Sequence, residues 1–245
     1  MVNEFWKDWK RKTKLEESAI QSLKSAKKII LQNIPKNEII AIYVKGSFVR
    51  REMNKKSDVD TSIILKHSKW LSKLKTLQKR YRKEFKPNLE FTGYSLWELK
   101  NNKKSRTGKA DRASPSRAVQ HLEHYKLIYG QALKKEEFYQ GDDTKRLRAL
   151  VRTFKTLFLP GYKKKEIGFS GIVKQTFWLV ENEQKFKGNN PPHHFGKLAK
   201  SIKDKNHIIH DTLRFRKKPT KDKKLRSLYI KKLKTYLKGL EKIHN

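Results

Sequence analysis

Apolar positions recur at three- and four-residue steps at both ends of the chain and alternate in between. Phe5, Trp6, Trp9, Ala19, Ile20, Leu23, Ala26, Ile29 and Ile30 predict a helix over 4–33 with an aromatic stripe turned to the core. Asn33-Ile34-Pro35 ends it, because the residue before a proline disfavours helical backbone. Glu38–Val44 is a β-branched run suited to a buried strand, and Asp58–Leu65 reads as a second strand. Between them lie a Gly46-Ser47 turn, a short helix over Ser47–Met53 and a loop, Asn54–Ser57.

Trp70, Leu71, Leu74, Leu77 and Tyr81 place an amphipathic helix over His67–Phe85, closed by Pro87. Leu89–Tyr94 alternates as a third strand. Ser95 with Glu98 three residues on is a capping-box pattern, which gives Glu98 a structural role. Asn101–Arg117 is polar, basic and rich in turn residues, and predicts a mobile loop able to clamp phosphates. Pro115–Tyr125 resumes as helix, and Lys126–Gly130 closes the unit near residue 133.

Beyond Gln140–Thr144 the pattern is helical throughout. Helices are predicted up to Pro160-Gly161 and over Ile167–Phe186, Phe195–Arg214 and Leu225–Ile243, four elements on short connections that imply a bundle. The fold class is therefore α+β, with an N-terminal domain over 1–133 and a helical bundle over 145–245.

Composition narrows the partners. The formal net charge is +37, from 61 Lys and Arg against 24 Asp and Glu, and it is spread along the chain. Such a field draws in polyanions, RNA first among them, and repels a cationic substrate such as an aminoglycoside. A general lysine-rich bias would raise Glu alongside Lys, which does not happen here. The absence of cysteine excludes disulfides and thiolate metal sites and fits a reducing compartment. No apolar run reaches membrane-span length, and the N-terminus lacks the order of a signal peptide, so a cytoplasmic protein with no membrane partner is expected. His193-His194 and His207-Ile-Ile-His210 match no standard zinc spacing.

The chemistry concentrates in one stretch. Asp58 and Asp60 point to the same face of a strand and form a cluster of hard oxygen ligands suited to Mg²⁺. The Gly46-Ser47 turn leads into a helix whose first N–H groups suit phosphate. Gly-Ser, ten residues, then Asp-x-Asp resembles the DNA polymerase β-type nucleotidyltransferase superfamily, nearest its minimal members and the aminoglycoside nucleotidyltransferases. The resemblance implies a small mixed sheet flanked by helices, followed by the helical domain.

It also implies roles for named residues. Gly46, Ser47 and Arg50 would seat a nucleoside triphosphate, with Lys56 in reach from the loop. Asp58, Asp60 and, from the third strand, Glu90 would hold two Mg²⁺ ions, Glu90 also accepting the proton of an attacking hydroxyl. Two positions depart from the family pattern. Lys45 stands where an apolar or small residue is usual before the Gly, and Arg51 replaces a small residue after the Arg.

The function expected is Mg²⁺-dependent transfer of a nucleoside monophosphate to an acceptor hydroxyl with release of pyrophosphate. An RNA end is the favoured acceptor. The alternatives are an antitoxin-like enzyme that transfers AMP to a protein and a non-catalytic RNA-binding module on the same scaffold.

Overall fold

The computed structural model describes residues 4–55, 57–108 and 112–244. Its contacts divide the chain into two units, residues 1–140 and 141–245. The first is built on a four-stranded mixed sheet. Helix α1 (Lys14–Asn33) precedes β1 (Ile39–Lys45), the one-turn α2 (Gly46–Val49) and β2 (Val59–Leu65). Then come α3 (Leu71–Tyr81), β3 (Leu89–Ser95), α4 (Leu96–Asn101), α5 (Pro115–Gln120) and β4 (Lys126–Gly130).

The strands run in the order β3-β2-β1-β4. β1 pairs antiparallel with β2 and β4, whereas β2 and β3 are parallel. Ile42, Val44, Val59, Ile63, Leu89 and Phe91 share a core with the apolar stripes of α1 and α3. Ala41, Tyr43, Ile64 and Tyr94 face the other way, onto Leu99, Ala118 and Val119 of α4 and α5. Alternation along each strand therefore gives the sheet two apolar faces. The Gln78 side chain clips the outer edge of β3, accepting from the Phe91 N–H and donating to Leu89 O.

The first helix begins later than its periodicity predicts. Thr13 caps Lys14–Asn33 in a reciprocal capping box with Glu16. Residues before it fold back in a turn that packs Trp9 against Phe48, ring centroids 5.0 Å apart, with Trp6 only 5% exposed. An aromatic cluster and a helix stripe thus supply one continuous core from two different backbones. β4 appears where only a closing segment was expected, because its register opposite β1 buries Ile128.

The stretch 101–117, expected to be mobile, is tied down where it is described. Glu98 is fully buried and accepts from the Ser105 N–H (2.6 Å) and Oγ (2.8 Å) and from Arg112 (2.5 Å). Asn102 adds an acceptor for the Ser116 N–H at 3.0 Å. The helix-cap carboxylate is therefore also the hub of the loop that follows.

The second unit is helical. α6 (Asp143–Thr153) runs through a π turn at Phe154–Phe158 into α7 (Leu159–Lys163), so Pro160 does not end the helix as the sequence suggests. The Leu159 N–H bonds to Phe154 O, five residues back, and the widened turn carries the helical path through the proline. α8 (Phe169–Phe186), α9 (Phe195–Ser201), α10 (Ile208–Lys217) and α11 (Lys223–His244) follow. The predicted helix over Phe195–Arg214 is two helices. Asp204 turns the chain by accepting from the Asn206 N–H, and His207 then caps α10 by accepting from the Ile209 N–H. The helices enclose Leu147, Phe154, Phe177, Ile209, Leu233 and Leu240.

The histidines of this unit serve the helices too. His194 caps α9, and His193 lies 2.8 Å from the buried Glu181. Glu183 is held by three partners. Burial alone would raise its carboxyl, but His207, Lys187 (2.8 Å) and the Tyr236 hydroxyl pull it down to about 2.

Candidate active site

Register places the acids. Lys45 of β1 stands opposite Asp60 of β2, and Asp60 stands opposite Glu90 of β3. Residues at matched positions on neighbouring strands project from the same face. A cation and two acids thus cross the sheet in one row at its α2 end. Asp58, immediately before β2, completes the group. Carboxylate oxygens of Asp58, Asp60 and Glu90 all lie within 4.8 Å of one another, and all three residues are partly buried.

Three acids this close repel one another. Burial, a hydrogen bond with Asp58 and the Asp58 charge all push the Glu90 carboxyl up, opposed by the positive charges of Lys45 and Arg82. An oxygen-only cluster of this charge suits a hard divalent cation such as Mg²⁺.

The Gly46 turn is shaped around the same acids. Gly46 has φ +80, and a Cβ there would lie 2.3 Å from Asp60 Oδ2. Only glycine lets the chain pass this close beneath the carboxylate while adopting that conformation. The turn opens α2, a single turn of helix, whose first N–H groups have no partner within the helix. Its donors are backbone amides rather than the end of a long helix dipole.

The nucleotidyltransferase-domain family model matches residues 23–128, which hold β1, α2, β2, β3 and all three acids. Residues 23–128 form a nucleotidyltransferase domain. The chain thus carries a domain of the kind found in enzymes that transfer nucleotidyl groups. Among solved structures, spectinomycin adenyltransferase AAD(9) from Enterococcus faecialis, determined with ATP and spectinomycin, is similar in fold to the chain. The likeness covers 89% of this chain and 99% of that one, with a TM-score of 0.56 and 17% identity. No curated protein sequence matches the chain.

Within this nucleotidyltransferase domain, the predicted residues fall unevenly. Asp58, Asp60 and Glu90 converge, and Gly46 and Ser47 form the adjoining turn. Arg50 ends α2 with its Nε 2.8 Å from Glu52 Oε2, so its guanidinium is engaged locally. Lys56 lies outside the described residues. Arg51, one of the two departures, is accounted for by packing. It stacks on Trp9 at 4.7 Å and bonds Glu16 at 2.9 Å, fastening the N-terminal turn to the domain.

Three further residues belong to the site's surroundings. The Lys45 ammonium reaches across the sheet to donate to Thr92 Oγ1 at 3.2 Å. Burial draws its pKa down, Asp60 and Glu90 raise it, Arg117 lowers it and Asp58 raises it. Arg117, on α5, is exposed and also acts on Tyr94 and Tyr125. The Tyr125 hydroxyl is pushed up by burial and by the neighbouring Tyr94 and Asp60. Lys45 carried a sequence signal as a departure from the family pattern before the Gly, Arg117 as the end of the basic stretch read as a phosphate clamp, and Tyr125 carried none.

Proposed function

We propose that the protein uses Mg²⁺ to transfer a nucleoside monophosphate from a nucleoside triphosphate to a hydroxyl on RNA, releasing pyrophosphate. One observation carries the reading: the Asp58, Asp60 and Glu90 carboxylates converge beside a glycine turn that has no room for a side chain. Asp58, Asp60 and Glu90 would hold Mg²⁺. When bound, it activates the attacking hydroxyl and neutralises charge on the departing pyrophosphate. The Gly46-Ser47 amides orient the triphosphate. Glu90 takes the hydroxyl proton as the new ester bond to the α-phosphorus forms. The bond from the α-phosphorus to the bridging oxygen breaks, and pyrophosphate leaves.

ATP is the first donor to test, since AAD(9) was determined with ATP. The acceptor reading rests on charge. A net charge of +37 favours a polyanion over the cationic class to which aminoglycosides belong. Lys24, Lys27, Lys28 and Lys36 rim a shallow recess of about 400 Å³ along α1, a surface matched to a phosphate backbone.

The test is incubation with α-labelled ATP, GTP, CTP or UTP, Mg²⁺ and total RNA. Label in RNA is the expected result. Label in protein instead would assign AMP transfer to a polypeptide. RNA retention on a filter without label in any acceptor would leave a binding module.

A further inference from the structure

Lys45 sits in an unusual place for a lysine. Its backbone ends β1, opposite Asp60, yet its ammonium donates to Thr92 of β3, two strands away. Thr92 lies two positions after Glu90 and so shares its face of the sheet. The side chain therefore spans β2 along the row that carries Asp60 and Glu90. Thr92 is a neutral partner, and a lone neutral acceptor does not offset the cost of bringing an ammonium into a partly buried site. The charges that do offset it are the acids. Asp60, Glu90 and Asp58 all act on Lys45, with Asp60 foremost.

We propose that Lys45 is a positioning residue that serves as a resident cation of the acidic cluster, holding the acids converged and setting how readily the site takes up divalent metal before nucleotide arrives. The inference rests on the reading of Asp58, Asp60 and Glu90 as metal ligands. Ionised, as metal ligands are, the three carboxylates carry three negative charges, and Lys45, the cation in register with them, lowers that towards the two that one divalent ion balances, with Arg82 acting on Glu90 from outside the row. A second divalent ion would then meet no net attraction until a triphosphate brings its own negative charge. The site loads fully only with its nucleotide, and free metal does not saturate it. The direction follows from Coulomb attraction: removing a positive charge beside two or three acids strengthens their hold on any other cation.

A lysine kept only for its methylenes would behave differently. Lys45→Met retains the apolar stem and loses the charge, whereas Lys45→Arg retains the charge. Mn²⁺, whose paramagnetism reports free ion directly, is the probe, titrated into the full chain without nucleotide and followed by electron paramagnetic resonance. K45M is expected to bind Mn²⁺ at least tenfold more tightly than the wild type and to bind more ions. K45R is expected to stay within about twofold of the wild type. Lys45→Gln is a second neutral variant in case K45M does not fold, with circular dichroism melts establishing that each is native.

Equal binding by wild type and both neutral variants, including no binding by either, overturns the role of Lys45, as does weaker binding by folded K45M. The control separates the two readings. If the gain in K45M persists when Asp58→Asn is added, the ions bind elsewhere and the carboxylate site itself is wrong. If the control abolishes binding but K45M matches the wild type, only Lys45 is misassigned.

Discussion

Asp60 lies directly over Gly46, with its Oδ2 2.3 Å from where a Cβ on that glycine would be. The acid and the glycine turn thus share one volume, and a side chain on Gly46 must displace the carboxylate or the turn. Gly46→Ala is expected to lower kcat/KM by at least about a hundredfold while costing about 1–2 kcal/mol of stability, from strain at positive φ. Kinetics paired with urea denaturation check this. An activity loss matched by global unfolding would point to a merely structural glycine.

Repulsion among the acids predicts an opposite effect on stability. Asp58→Asn removes one charge from the cluster and the charge that pushes Glu90 up. The metal-free protein should melt at or above the wild-type temperature, while the rise in melting temperature on adding Mg²⁺ disappears and transfer falls by about a thousandfold. Calorimetric scans with and without Mg²⁺ read the first two effects. A D58N variant that still gains stability from Mg²⁺ would place the ion elsewhere.

Glu183 sets a pH limit on the helical unit. Its folded carboxyl titrates near 2 against an ordinary value of 4.5. The stabilisation is therefore present in full above about pH 4.5 and is lost as pH falls towards 2, amounting to on the order of 3 kcal/mol. Glu183→Gln should flatten that part of the stability profile. Urea midpoints between pH 6 and 2.5, wild type against variant, measure it.

The buried Glu98–Arg112 pair fixes the loop after α4. Glu98→Ala leaves Arg112 buried without its carboxylate and removes the cap on α4, and should cost about 3–5 kcal/mol. Limited proteolysis should then cut first between residues 102 and 114. Unchanged proteolysis would mean that other contacts hold the segment.

Much of the first unit was legible because its signals are local. Gly46-Ser47, Asp58 and Asp60 lie within one strand-turn-strand passage, and β-branched runs mark the strands on either side. Glu90 was reachable only through family resemblance, since its place beside Asp60 comes from parallel pairing of strands 30 residues apart. Arg117 was read only as part of a basic loop and Tyr125 gave no signal, because a helix packed on the sheet brings the first in and the loop before β4 the second. Helix limits failed where a local bond outweighed periodicity. The Thr13–Glu16 box starts α1 nine residues after the aromatic stripe begins at Phe5, and the π turn at Phe154–Phe158 carries the chain past Pro160. Glu98 was recognised as a cap, but its second task depends on a loop whose partners, Ser105 and Arg112, no periodic pattern reveals.

Pyrophosphate release from ATP in the presence of Mg²⁺ and total RNA, wild type against Asp60→Asn, tests the central claim most directly. The account predicts one pyrophosphate for each nucleotide incorporated by the wild type, and a loss of about a thousandfold in a D60N protein that remains folded. Pyrophosphate release at the wild-type rate by D60N, or none by the wild type with any of the four nucleotides, would contradict it.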